Sequence, residues 1–280
     1  MAVGSCRRRG AATDWLNVVF DALSPQRRRL VLGAVTVALL LIIALAVVSI
    51  VRGATNSVQP VPQADPGPVL LVPGYGGNGR SLQPLAAALR SAGRAVVIVE
   101  PAADGTDDLR KQAEHLAEVA DRVREDANAA SVDVIGYSAG GVVARLWVRD
   151  DGGGEVARRV LTLGAPHHGT SQAALGAELA GGCPTACEQL VPDSDLLRHL
   201  NAGDETPAGP LWATIRSRSD QVVTPVDSAA LSGALNIAVQ DVCPRSTATH
   251  GDLPSSPVVL AALGSVLGVG APQAPANVAC

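Results

Sequence analysis

Ser138 lies in the stretch Asp133–Gly141, DVIGYSAGG, with Gly136 two residues before it and Gly140 two residues after. A serine hydroxyl is a weak nucleophile near neutral pH. It needs a base to take its proton, and the base needs an acid to hold its tautomer. The apolar, strand-like run SVDVIG leads into the serine, and GGVVARLWV follows with helical spacing. The chain must therefore turn sharply at Ser138, where glycines remove side chains that would collide. That strand-turn-helix context marks G-x-S-x-G as a nucleophile elbow rather than a serine in a glycine-rich turn.

The base and the acid should follow downstream. Asp220, in RSRSDQVVTP, comes just after a strand-like run, so its carboxylate reaches the same sheet edge as Ser138. Asp241 and Asp204 are rival acids, the first after the next strand and the second in a polar loop. Of the histidines, His250 alone follows Asp220 and gives the chain order Ser, Asp, His; otherwise it is a surface-loop histidine. His167 and His168, in LGAPHHGT, end a strand and could border the site. His115 and His199 fall in helical runs and are expected to be exposed.

Hydrolysis at a carbonyl also needs two backbone N–H donors aimed at the developing oxyanion. Ala139, the residue after the serine, supplies one. The glycine-rich turn VPGYGGN, with Gly74, Gly76 and Gly77, supplies the other, with Tyr75 as the expected donor. A phosphate-binding loop is the competing use of such glycines, but neither G-x-G-x-x-G nor a following lysine is present.

The elements that must position these groups alternate. Val69–Val72, Ala95–Val99, Ser131–Ile135, Val160–Leu163, Trp212–Ser217 and Leu235–Val239 read as strands. Leu82–Ala92, Thr106–Asp126, Gly140–Val148, Ser171–Leu179, Asp195–Leu200 and Pro257–Val266 read as helices. The pattern predicts an α/β fold, a mostly parallel sheet flanked by helices, with functional groups at the carboxyl ends of the strands.

Taken in order, PVLLVPGYGGN, DVIGYSAGG, LGAPHHGT, SDQVVTP and THGDLP resemble the class 2 bacterial lipases of the α/β-hydrolase superfamily, over about Pro68 to Leu260. The resemblance implies a minimal α/β-hydrolase sheet, hydrolysis of carboxylic esters of lipids and no cofactor. It implies Ser138 as nucleophile, Asp220 as acid, His250 as base, and Tyr75 and Ala139 as oxyanion donors. Many relatives carry histidine where this chain has Pro73. The segment from Cys183 to Leu200 lies where a cap or pocket wall would be inserted. Its Leu190 and Val191, with Tyr137 and His167, are candidate substrate contacts, although plain core packing serves Leu190 and Val191 equally well.

Upstream, Leu30–Val51 is an uncharged apolar run of 22 residues, long enough at about 1.5 Å per residue to cross a bilayer core of about 30 Å. It exceeds a usual signal-peptide core and lacks a clear cleavage site, so an uncleaved anchor is expected, with secretion after cleavage as the alternative. Arg7, Arg8, Arg9, Arg27, Arg28 and Arg29 precede it and Arg52 alone follows, which predicts a cytoplasmic N-terminus and an extracytoplasmic domain. Residues 1–29 then form an inner tail, where Trp15, Phe20 and Leu23 could lie in an interfacial helix. The Pro-rich stretch 52–67 forms a linker, and 68–280 the hydrolase domain.

Cys183, Cys187, Cys243 and Cys280 lie beyond the apolar run, whereas Cys6 precedes it. An oxidising location permits two disulfides, and Cys183 with Cys187 and Cys243 with Cys280 is the expected pairing. The C-P-T-A-C spacing with a nearby histidine matches no ligand pattern, so no metal is expected. A net charge of −4 with a single lysine, Lys111, offers no basic patch for nucleic acid. The sequence thus points to a tethered ester hydrolase acting on lipid or other esters. An acyltransferase on cell-envelope lipids and a tethered binding module without turnover are its alternatives.

Overall fold

A computed structural model describes residues 24–55, 58–77, 79–179 and 183–280, and the chain forms two compact units, 1–57 and 58–280. The expectations for Cys6, for the arginines at 7–9 and for an interfacial helix near Trp15 lie outside the described residues. In the first unit, α1 (Pro25–Thr55) is a single helix. Proline at its first position suits a helix start, because the missing N–H would be unpaired there anyway. Its side chains from Pro25 to Val47 are exposed on every face, and this stretch of 23 residues is long and apolar enough to cross a membrane.

The second unit is built on six parallel strands: β1 (Val69–Val72), β2 (Val96–Ile98), β3 (Val132–Tyr137), β4 (Ala157–Leu163), β5 (Leu211–Arg216) and β6 (Leu235–Ala238). Their spatial order is β2-β1-β3-β4-β5-β6. Alternation along the strands divides the core. Leu70, Val134 and Val160 face one side, with α3 (Leu109–Ala127) and α4 (Ala139–Asp150) packed over them. Leu71, Ile135 and Leu161 face the other, under α2 (Gln83–Ser91) and α9 (Pro257–Leu267). Parallel strands covered on both faces are apolar on both, which is why β1 reads VLLV without polar alternation.

The chain leaves β1 towards β2 and returns on the far side of β1 as β3. Connections diverge there, opening a crevice outside the carboxyl ends of β1 and β3, where α/β sheets bind ligands.

The elements differ from the sequence expectation where tertiary contacts intervene. β4 starts at Ala157 rather than Val160, because Arg158 and Arg159 are buried in the sheet. Two helices too short for a periodic signal also form: α6 (Thr185–Gln189) and α8 (Val239–Val242). The helices α5 (Ser171–Leu179) and α7 (Asp195–Leu200) have the expected bounds. The cysteines pair as expected, Cys183 with Cys187 and Cys243 with Cys280.

At the amino end of the sheet a buried ionic cluster closes the core. Asp133 Oδ2 accepts from Arg94 Nη2 and Arg158 Nη2, both at 2.6 Å. Arg94 also donates to the carbonyl of Gly67, and Arg158 to those of Gln63, Leu267 and Gly268. Within the stretch expected to be a Pro-rich linker, residues from Val58 on belong to the second compact unit, and Gln63 and Gly67 are bonded into it. Replacing Asp133 by Ala leaves two desolvated guanidinium groups without a counter-charge, and breaking a buried pair of this kind costs about 3–5 kcal/mol. Urea denaturation of the Asp133→Ala protein should show a loss of that size.

Candidate active site

Ser138 lies between β3 and α4 with φ 54° and ψ −126°, a left-handed conformation that a non-glycine residue rarely adopts. Three glycines make the turn possible. A Cβ on Gly136 would lie 2.5 Å from the carbonyl oxygen of Gly140. One on Gly140 would lie 2.4 Å from the carbonyl oxygens of both Val72 and Pro73, and one on Gly74 would lie 2.9 Å from the Cβ of Ser138. The backbone N–H of Ser138 donates to the carbonyl of Leu163 at 2.8 Å, which pins the turn to the end of β4.

Asp220 and His250 arrive from loops after β5 and β6. His250 Nε2 lies 3.0 Å from Ser138 Oγ, and His250 Nδ1 lies 2.7 Å from Asp220 Oδ2. An ionised carboxylate only accepts, so Nδ1 carries the proton of that bond and Nε2 faces the serine hydroxyl as an acceptor. Asp220 Oδ1 accepts from the backbone N–H groups of Val222 at 2.8 Å and Val223 at 2.9 Å, which holds the carboxylate plane. Both side chains are nearly buried, at 9% exposure for His250 and 2% for Asp220. The rival acids lie elsewhere: Asp241 is exposed and paired with Arg218, while Asp204 accepts from Thr206.

Ala139 is the first residue of α4, and Tyr75 sits in the turn closed by the Gly77 N–H bond to Gly74 at 2.9 Å. The N-terminus of the 12-residue α4 points its partial positive charge at Ser138. A carbonyl carbon at Ser138 Oγ would have its oxygen in this field. The turn is braced by Gly76 N–H, which donates to the carbonyl of Gly105 at 3.1 Å.

A cleft of about 160 Å³ opens beside Ser138, and its walls include Tyr75, Leu190, Val222 and Val223. Of the expected substrate contacts, only Leu190 lines it. Val191 packs against the core instead. Tyr137 is turned onto His250, with ring centres 5.1 Å apart and its hydroxyl donating to the His250 carbonyl at 3.2 Å. Burial, reinforced by the charges of Asp220 and Asp252, pushes the Tyr137 phenol up to about 12, so it stays protonated at neutral pH. His167 is fully buried, with Nε2 3.0 Å from Thr162 Oγ1. Burial, with the nearby Arg145 charge, holds it well below the ordinary histidine range, so it is neutral packing rather than a cleft residue.

Several residues at the site escaped the sequence reading, Gly164 and Pro166 among them. Gly164, at φ +53°, passes so close to the site that a Cβ there would lie 3.0 Å from His250 Nδ1 and 3.2 Å from Asp220 Oδ2. Pro166 lines the cleft beside Ser138. A glycine directly after an apolar strand was the available signal for the first. Only the packed structure reveals the second.

With this geometry in hand, the likeness to known proteins has a frame. The family model for palmitoyl protein thioesterase matches residues 68–201. That stretch carries Tyr75, Ser138 and Ala139 but stops short of Asp220 and His250. No curated protein sequence matches the chain. Among solved structures, Aspergillus fumigatus lipase B is similar at 20% identity with a TM-score of 0.63, over 74% of this chain and 53% of that one. The chain thus spans about half the length of that lipase. Bacillus licheniformis lipase BlEst2 in its mature form is similar at 16% identity and TM-score 0.59, over 75% of this chain and 94% of that one. The lin2722 product of Listeria innocua is similar at 15% identity and TM-score 0.53, over 72% and 94%. The fold is that of the α/β-hydrolases.

The close approach at Gly140 is the most demanding contact of the elbow, because both neighbours are backbone carbonyls that cannot swing aside. Gly140→Ala should destabilise the second unit by about 3 kcal/mol, the upper range for overpacking a tight site. Thermal melts of the variant beside the parent protein would measure it.

Proposed function

We propose that the second unit is a serine hydrolase of carboxylic acyl esters, held at the outer face of a membrane by α1. One observation carries the reading: the continuous chain from Ser138 Oγ through His250 to Asp220, set beside an apolar cleft at the carboxyl edge of the sheet. In this reading Ser138 Oγ attacks the ester carbonyl while its proton passes to His250 Nε2. The tetrahedral oxyanion accepts from the N–H groups of Tyr75 and Ala139. Collapse breaks the bond to the leaving group, which takes the proton from His250 and departs as an alcohol. Water then attacks the acyl carbon and gives a proton to His250; collapse breaks the bond to Ser138 Oγ, which takes that proton back, and the carboxylic acid leaves. Asp220 stays ionised throughout and steadies the imidazolium.

The five motifs shared with class 2 bacterial lipases support oxygen esters of lipids. The palmitoyl protein thioesterase match supports an acyl substrate more broadly, because the same steps release a thiol from a thioester. The cleft bears on chain length. Its walls are mostly apolar, which suits an acyl chain, and methylenes that reach beyond them would stay in solvent and gain nothing further from burial.

The apolar helix and the arginines before it support a tether with the N-terminus in the cytoplasm. The two disulfides fit an oxidising compartment outside it.

Hydrolysis of p-nitrophenyl esters from acetate to palmitate by the full-length protein in detergent tests the reading. Ser138→Ala should lower kcat by about a millionfold and abolish fluorophosphonate labelling while the fold persists. Retained turnover would remove Ser138 from the chemistry. Butyrate to octanoate esters should show higher kcat/KM than palmitate. Acyl transfer to an added alcohol in preference to water would instead mark an acyltransferase.

A further inference from the structure

The motif LGAPHHGT is not used up by the chemistry above, yet its last residue sits at a junction. Thr170 Oγ1 donates to the carbonyl of Val222 at 2.6 Å and accepts from the N–H of Thr224 at 3.1 Å. Between these two contacts lies the turn whose N–H groups hold Asp220 Oδ1, those of Val222 and Val223. The neighbouring Ser171 adds its own N–H to the carbonyl of Thr224 at 2.9 Å. On its other side, the Thr170 N–H donates to the carbonyl of Leu190 at 3.0 Å, at the cleft wall.

The hydroxyl is thus both donor and acceptor to one loop, with Thr170 only 6% exposed. Removing a buried hydroxyl that bonds a carbonyl and an amide together deprives both of that partner and loosens the turn they belong to. The groups released, the Val222 carbonyl and the Thr224 N–H, belong to the turn whose Val222 and Val223 N–H groups orient the Asp220 carboxylate. Its other oxygen is bonded to His250 Nδ1, so a tilt there is passed to Nε2 and to its 3.0 Å contact with Ser138.

We propose that Thr170 is a positioning residue, which sets the Asp220 carboxylate and through it the imidazole of His250. The proposal rests on the hydrolase reading for its kinetic consequence, but its geometric consequence can be read without turnover. The same residue ties the acid loop to the cleft wall, since Thr170, Leu190, Val222 and Val223 all line the cleft. An acyl chain seated there bears on the residues that hold the acid.

The test compares Thr170→Val and Thr170→Ser with the parent, all full-length in detergent, with circular dichroism and thermal melts giving the folded fraction. Valine keeps the branched shape and loses the hydroxyl; serine keeps the hydroxyl. Thr170→Val should lower kcat per folded protein towards p-nitrophenyl butyrate by about tenfold to a hundredfold, the effect of a small misplacement of a reacting group. KM should stay within about twofold, as expected when the loss falls on the transition state. Thr170→Ser should recover most of the kcat. The low-field proton resonance of His250 Nδ1–H should weaken in the valine protein and return in the serine protein. An unchanged kcat and resonance in a folded valine protein would overturn the proposal, as would equal impairment by valine and serine. If the parent lacks turnover but the resonance responds to Thr170→Val as expected, the hydrolase reading fails and the positioning role stands.

Discussion

The second unit depends on one backbone-to-backbone approach. The start of α4 passes so close to the end of β1 that no atom beyond hydrogen fits on Gly140, whose Cβ would lie 2.4 Å from the carbonyl oxygens of Val72 and Pro73. That contact locks the crevice where the chain diverges to either side of β1. It also holds Ser138 in its left-handed turn and brings the amide of Ala139 beside the Tyr75 turn. A side chain at this point would part the strand from the helix and separate Ser138 from the Tyr75 turn.

The two ends of the sheet divide the labour. At the amino end, Asp133, Arg94 and Arg158 fasten the segments around Gln63–Gly67 and Leu267–Gly268 to the core. Their charges are desolvated, which is tolerable only because each guanidinium also meets backbone carbonyls. At the carboxyl end, charge and strain serve a different purpose: a strained serine, a buried carboxylate and a histidine are gathered where the strands stop supplying hydrogen bonds. Burial there excludes water from the Asp220–His250 bond and strengthens it.

Between the cleft and the acid loop, the segment from Gly164 to Thr170 works as a clasp. Gly164 leaves room for His250, and Pro166 faces the cleft. The carbonyl of His167 accepts from Asn201 Nδ2 at 3.0 Å. Arg145, fully buried, in turn donates to Asn201 Oδ1 and to the carbonyls of Leu200 and Glu205, which binds the α7 region to α4. Burial lowers the Arg145 guanidinium to about 10, with Glu205 and Asp204 acting against that shift, and it remains a cation at neutral pH. The cap-like segment is therefore fastened to the same helix that carries Ser138 at its start.

Local chemistry made much of this readable from the residues alone. The alternation of apolar runs specified six strands in order, because a parallel strand buried on both faces needs an unbroken apolar run. The glycines around Ser138 announced the turn, because only a crowded backbone requires them. The order of Ser138, Asp220 and His250 named the groups that the fold brings into one hydrogen-bond chain, and the cysteine spacings named the pairs. Partners distant in sequence were hidden. Arg158 and Arg159 fall outside the strand expected from Val160, since nothing beside them tells of Asp133 or of the carbonyls near residue 268. His167 and Tyr137 read as candidate cleft residues, because a motif gives neighbours along the chain but not which way a side chain turns. The close fit at Gly164 and the two hydrogen bonds of the Thr170 hydroxyl to the Val222–Thr224 turn were decided by tertiary structure alone, for each depends on loops that meet only when the sheet has assembled.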